Sequence, residues 1–284
     1  MLPDQRDGND PTIGLALGGG AAQGFAHVSV LEALDEMGVR PTAIVATSMG
    51  AVIGAAYAAG MSGADIRHYV TDLLSDRSRF ISRLWQLRPR AIREISIGLG
   101  QSDLERVLES FLPDNVPEAM SALPISFKTV ATDYYSGDEV VIERGPLIRA
   151  IAASAAVPLL FRPVVAEGRV LVDGGLSNPV PFDRLSGVDF VIAADVITEP
   201  TGTPSRVPGA IESLFGAASL LMRALMMEKA KGDRKPDVLI RLPTTTSHIL
   251  DFTKAIAIME ESATAKDAVK RTIESALRRQ DAAA

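Results

Sequence analysis

The sequence predicts a three-layer α/β/α sandwich built on a mainly parallel central sheet. Two observations carry that prediction. Short apolar runs alternate with helix-period segments through the first sixty residues, the pattern that strand–helix–strand units with right-handed crossovers impose. The apolar content of 47% rests on Ala, Val, Leu and Ile, with aromatic residues at only 5% of the 284 positions. Small aliphatic side chains suit helices packed closely on a buried sheet better than an all-β sandwich.

Each element follows in order. Residues 1–11 are polar and acidic and are expected to form a disordered tail, with residues 12–284 as a single domain. Thr12 to Leu17 is a short buried strand. After three glycines, Phe25, Val28, Leu31 and Leu34 recur at helical spacing, and Gly38 is a fitting stop. Ala43 to Ala46 is a second strand that runs directly into a small-residue helix ending near Gly60. From Ser62 to about Leu112 the pattern is helical and more polar. Ile125 to Asp133 and Glu139 to Glu143 are strands joined by a hairpin connection, YYSGD. A short helix opens on Pro146, and Arg169 to Gly175 is a strand ending in a turn. Asp189 to Val196 and Asp237 to Leu242 are further buried strands. Helices near Ile211 to Lys229 and Ile258 to Arg279 cover the faces.

Composition removes several classes of function. The net charge is −6 and the isoelectric point about 5.2, so the chain has no overall attraction to nucleic acid. It has no cysteine, which excludes disulfide and thiol chemistry. His27, His68 and His248 are its three histidines, and none stands at a metal-ligand spacing. No cofactor is expected. The N-terminus lacks the basic and apolar regions of a signal peptide, and no apolar run is long enough to span a bilayer. The expectation is a cytoplasmic protein that meets a membrane, if at all, peripherally at its inner face.

Three motifs carry chemistry. In ATSMGA, Ser48 stands between a buried strand and a helix of small residues. A tight turn there pushes the hydroxyl outward and sets a helix N-terminus behind it, which favours developing negative charge. The alternative is an ordinary helix N-cap. In GGGAAQG, Gly18 to Gly24, a glycine run lets successive N–H groups converge on an anion or oxyanion. A dinucleotide fingerprint fails on spacing: from Gly18 and Gly20 it needs glycine where Gln23 stands, and from Gly19 it needs glycine where Ala21 stands. In LVDGGLSNPVP, Asp173 ends a strand before two glycines, open to reading as a catalytic carboxylate or as a structural turn aspartate.

Together, the ordered set of glycine loop, serine turn and Asp-Gly-Gly resembles the patatin-like phospholipases, especially bacterial members akin to neuropathy-target-esterase domains. The resemblance runs from about Ile13 to Pro181 and includes GFAHVSVLEAL, ATDYYSGDEVV and AIAASAAVPLLFRPV. It implies a patatin-like sandwich and a Ser–Asp dyad without histidine, acting on a lipid ester such as a phospholipid or lysophospholipid. Ser48 would attack the ester carbonyl and Asp173 would take its proton. The backbone N–H groups of Gly19, Gly20 and Ala21 would hold the oxyanion, with no metal. The chain departs from the family pattern where Ala21 replaces a fourth glycine, Gln23 an arginine, and Ala46 the first glycine of the serine motif. Gln23 and Ala46 support the alternative function, a catalytically weak lipid-binding or regulatory protein on the same fold.

Four further features are weighed. His27, one turn beyond the glycine loop, is expected to be a packed helix histidine, with a base role as its alternative. His68 and His248 are expected at the surface. The segment Arg77 to Arg93 holds six arginines interleaved with Phe80, Ile81, Leu84, Trp85 and Leu87. It reads either as a lid or interfacial helix docking on anionic lipid, or as a solvated helix packed on the core or a homodimer partner. The Met-rich run Leu220 to Lys229 is expected to fill core rather than touch membrane.

Overall fold

The structure, a computed structural model, describes residues 11–75, 103–200, 207–243 and 251–282. Eight strands form one sheet. β1 (Ile13–Leu17), β2 (Ala43–Thr47), β3 (Ser126–Asp133), β7 (Phe190–Asp195) and β8 (Val238–Arg241) run parallel in the spatial order β3-β2-β1-β7-β8. β4 (Glu139–Ile142) returns antiparallel beside β3. β6 (Arg169–Asp173) also pairs antiparallel with β3 and carries β5 (Val164–Ala166) on its far side. The mainly parallel sandwich is thus the observed fold. β5 escapes the sequence reading because three residues are too few for alternation to register.

Helix ends follow local rules. The first turn after the glycines is a 3-10 turn, Ala21–Ala26, before α1 (His27–Glu36) begins. α1 stops at Gly38, whose φ of 69° suits glycine. There Val39 N–H reaches Leu34 O and Gly38 N–H reaches Asp35 O, the paired bonds that close a helix end. α2 (Met49–Ala58) stops the same way at Gly60. α3 (Gly63–Ser75), α4 (Leu104–Phe111), α5 (Leu147–Ser154) and α6 (Ala210–Lys229) follow. The expected C-terminal helix is two, α7 (Ala255–Ala263) and α8 (Lys266–Asp281). The break falls where Thr264 and Ala265 take their bonds from three residues back, which tightens the last turn and redirects the chain.

The sheet is buried on both faces. Leu15, Leu17, Ile44, Phe127 and Ile192 point into the larger core, shared with helices that include α1, α2, α5, α7 and α8. Alternate residues Ala16, Val45, Val130 and Ala193 point the other way, into a thinner cluster with Phe182, Leu185 and Met226 of α6. The run Leu220 to Lys229 is therefore only partly core. Met226 is fully buried, but Leu220, Leu221 and Met227 are exposed. The thin second face has room for just one stripe of α6.

One detail of register positions the site. Thr129 and Val130 of β3 pair with β2 and also with β4, so those two strands lie on opposite edges of β3. Ala131 and Thr132 pair with β4 and also with β6, so β6 shares an edge with β2. Thr47 faces Val130 and Asp173 faces Ala131. β2 and β6 thus run toward each other along one edge, and their final residues meet.

Candidate active site

Ser48 follows β2 directly and caps α2 at φ 54° and ψ −124°. A non-glycine residue there is strained, and strain of that kind persists only where surrounding contacts impose it. Those contacts are specific. Ser48 N–H donates to Ser154 Oγ at 2.9 Å, and Thr47 Oγ1 donates to the Asn178 carbonyl at 2.8 Å. Gly50 allows close approach: a Cβ there would lie 2.5 Å from Leu17 O and 2.6 Å from Gly18 O. Ser154, at the end of α5, and Asn178 went unnoticed in the sequence. Nothing local marks them, because their partners lie 106 and 131 residues away.

The structure brings Ser48 and Asp173 together. Ser48 Oγ donates to Asp173 Oδ2 at 2.6 Å, and Gly175 N–H donates to Asp173 Oδ1 at 2.7 Å. Both side chains are buried. Burial pushes the Asp173 carboxyl up from 3.8 to about 6, against the two hydrogen bonds that favour its charged form. Gly174 lets the chain turn beneath β3: a Cβ would sit 2.0 Å from the Val130 carbonyl. Asp173 lies at the edge where the parallel strands end, although β6 arrives there from the opposite direction.

The glycine loop lies beside them. A Cβ on Gly19 would be 3.2 Å from Ser48 Cβ. The loop is pinned at three points: Gly18 N–H to Ala194 O at 3.0 Å, Gly19 N–H to Pro179 O at 2.8 Å, and His27 Nε2 to Gly18 O at 2.7 Å. The expectation for Gly19 needs correction. Its N–H is already committed to Pro179, so of the three expected donors Gly20 and Ala21 have N–H groups without a bond among the described residues. Ala21 sits at φ 47°, the left-handed conformation that glycine adopts without strain.

His27 makes no hydrogen bond to Ser48 or Asp173. It is fully buried, which pushes its imidazole down to about 4 and keeps it neutral. The packed reading holds, with the Gly18 carbonyl as its partner. His68 is exposed and bonds Asp72 at 3.2 Å. Arg77 to Arg93 and His248 lie outside the described residues. Among the described residues no three His, Asp or Glu side chains cluster as a metal site, and no helix is long and apolar enough to cross a membrane.

Ser48 opens onto a cavity of about 460 Å³. Its walls are apolar side chains from α2, α3 and α4, with Ala155, Val157, Leu160 and Phe161 from the loop after α5. The buried serine, the carboxylate and the apolar hollow stand on one edge of the sheet.

Fold and site define a class of α/β protein that presents a serine at a strand-to-helix elbow beside a glycine loop. Within that class the chain belongs to the patatin-like phospholipase family, whose model matches residues 15–186. It is 38% identical over 203 residues to an uncharacterized NTE family protein of Mycobacterium tuberculosis, covering 71% of this chain and 53% of the relative. It is 29% identical over 217 residues to the lysophospholipase nte1 of Aspergillus fumigatus, covering 74% of this chain and 13% of that protein. The chain thus spans about half of the mycobacterial relative (53%) and a small part of the fungal one (13%). Among solved structures, it resembles VipD from Legionella pneumophila at 16% identity and a TM-score of 0.43, over 91% of this chain and 67% of VipD.

Proposed function

We propose that the protein hydrolyses carboxylic esters of lipids, with Ser48 as nucleophile and Asp173 as general base. The observation that carries the reading is the 2.6 Å hydrogen bond from Ser48 Oγ to Asp173 Oδ2, made by a serine that lines an apolar cavity. Membership of a phospholipase family supports a lipid substrate.

The chemistry follows from the placement of the groups. Asp173 accepts the serine proton as Oγ bonds to the ester carbonyl carbon, and the carbonyl oxygen becomes the oxyanion. A carboxyl held near 6 is a stronger base than an ordinary aspartate and is still ionised at neutral pH. Gly20 and Ala21 N–H groups stabilise the oxyanion, with the N-terminus of α2 behind the serine. Collapse expels the alcohol, which takes the proton from Asp173. Water, deprotonated by the same carboxylate, then releases the acid and restores the serine.

A fluorophosphonate probe tests the reading. It should label the wild type and fail to label Ser48→Ala. Asp173→Asn should label slowly and lose turnover of p-nitrophenyl esters. A wild type that neither labels nor cleaves these esters sinks the proposal and leaves a lipid-binding or regulatory role on this fold.

A further inference from the structure

Ser48, Val52 and Ala56 follow one another along α2 at intervals of four residues, and all three line the cavity. Residues four apart stack on one face of a helix, each a turn beyond the last. At a rise of ~1.5 Å per residue, Val52 stands ~6 Å and Ala56 ~12 Å along the axis from the serine. The opposing walls have a similar span: Ile66 and Leu74 on α3, and Leu104 and Phe111 on α4, bracket two helical turns.

The described walls offer a ligand almost nothing polar. Among the described residues, the one hydroxyl besides Ser48 that lines the cavity belongs to Tyr69, and it is already bonded to the Phe111 carbonyl at 3.1 Å. A ligand that fills this space is hydrocarbon along its length and polar at its serine end.

We infer that the α2 side chains at 52 and 56 set the length of the acyl chain that this cavity accepts. This rests on the proposed role of Ser48, which fixes where the acyl carbonyl begins. An extended alkyl chain built from ~1.5 Å bonds advances ~1.3 Å per carbon, so Val52 faces roughly the fifth acyl carbon and Ala56 roughly the ninth. Alanine at the second turn puts little bulk against a chain that extends past about the ninth carbon.

The test is a ladder of p-nitrophenyl esters from butyrate to palmitate, with rates for each protein normalised to its own best substrate. Ala56→Phe should lose about tenfold or more, relative to wild type, on chains beyond about ten carbons. Val52→Phe should move that break to about six carbons or fewer. Profiles that superimpose on wild type, or a break at shorter chains for Ala56→Phe than for Val52→Phe, would overturn the inference. If circular dichroism shows either phenylalanine variant unfolded, leucine at 56 and methionine at 52 carry the same comparison.

A binding measurement separates this inference from the catalytic one. Fatty acids of graded length displace a fluorescent polyene fatty acid without any turnover. A wild type that cleaves no ester, but whose variants show the two breaks in displacement, keeps the length limits and loses the nucleophile. A wild type that cleaves esters, with no break in either assay, does the reverse.

Discussion

His27 Nε2 lies 2.7 Å from the Gly18 carbonyl oxygen, both of them buried. A carbonyl only accepts, so Nε2 carries the proton, and burial keeps the imidazole neutral. The bond fixes the peptide that enters the glycine loop, two residues before the proposed oxyanion donor Gly20. His27 thus acts as a positioning residue. Glutamine can place an amide N–H near the Nε2 position, whereas asparagine reaches only the nearer ring nitrogen. We predict that His27→Ala and His27→Asn lower kcat about tenfold with KM little changed, a smaller loss than deleting an oxyanion donor itself. His27→Gln should recover most of that loss. Equal kcat in the alanine and glutamine variants, at matched thermal stability, would refute the role.

The Asp173 carboxyl, lifted to about 6 by burial, sets the acid limb of the rate profile. As base it must be ionised, so kcat/KM should fall about tenfold per pH unit below pH 6 and level off above it. Asp173→Asn should cut kcat by about 10³-fold or more and flatten that limb. A wild-type limb that breaks near 4 instead would place an ordinary exposed carboxylate in control.

Stability carries a second signature of the same groups, with opposite signs. Asp173 titrates at about 6 folded and near 3.8 unfolded. Between those values the native state holds the extra proton, so this group costs stability as pH rises through the window, by about 3 kcal/mol in full. His27 titrates at about 4 folded and near 6.5 unfolded. There the unfolded state holds the extra proton, so its contribution rises by about 3 kcal/mol over nearly the same range. The two effects oppose each other. Relative to wild type, Asp173→Asn should gain stability from pH 4 to pH 7, and His27→Gln should lose it. Urea unfolding at the two pH values reads both differences, and parallel behaviour of the variants would contradict the assignment.

Much of this site was legible because its parts are local. Ser48 sits in a strand–helix turn, the glycines crowd one loop, and Asp173 ends an apolar run. What sequence could not supply is pairing across the sheet. Asp173 reaches Ser48 because β6 approaches β2 head-on, and only the register on β3 reveals it. Gly19 shows the same limit. Its N–H looked available because the glycine run is continuous, but Pro179, 160 residues on, accepts it. Ser154 and Asn178 hold the turn through contacts as distant. Helix α6 failed differently: its Met-rich run was expected to fill core, and only one stripe of it is buried.

Ala21 tests whether the glycine loop stores strain. Its φ of 47° costs an alanine about 1–2 kcal/mol, and glycine pays part of that back in chain entropy. Ala21→Gly should therefore raise unfolding free energy by about 0.5–1 kcal/mol in urea. A drop in stability would show that the alanine methyl makes packing contacts worth more than the strain.

Gly50 and Gly38 separate two reasons for glycine. Gly38 holds φ 69° with nothing near its absent Cβ, so Gly38→Ala should cost about 1 kcal/mol of stability and leave kcat/KM within twofold. Gly50 is helical, and its need is space. A methyl there would meet the carbonyl oxygens of Leu17 and Gly18 at 2.5 and 2.6 Å. Those atoms are backbone and cannot swing aside, so Gly50→Ala must push the glycine loop away from Ser48. A displacement of ~1 Å at a reacting site costs about a hundredfold in rate. We predict a loss of kcat of that order for Gly50→Ala, with fluorophosphonate labelling slowed to match. Loss of stability alone, with labelling at the wild-type rate, would mean that the loop accommodates the methyl and that its position does not set the chemistry.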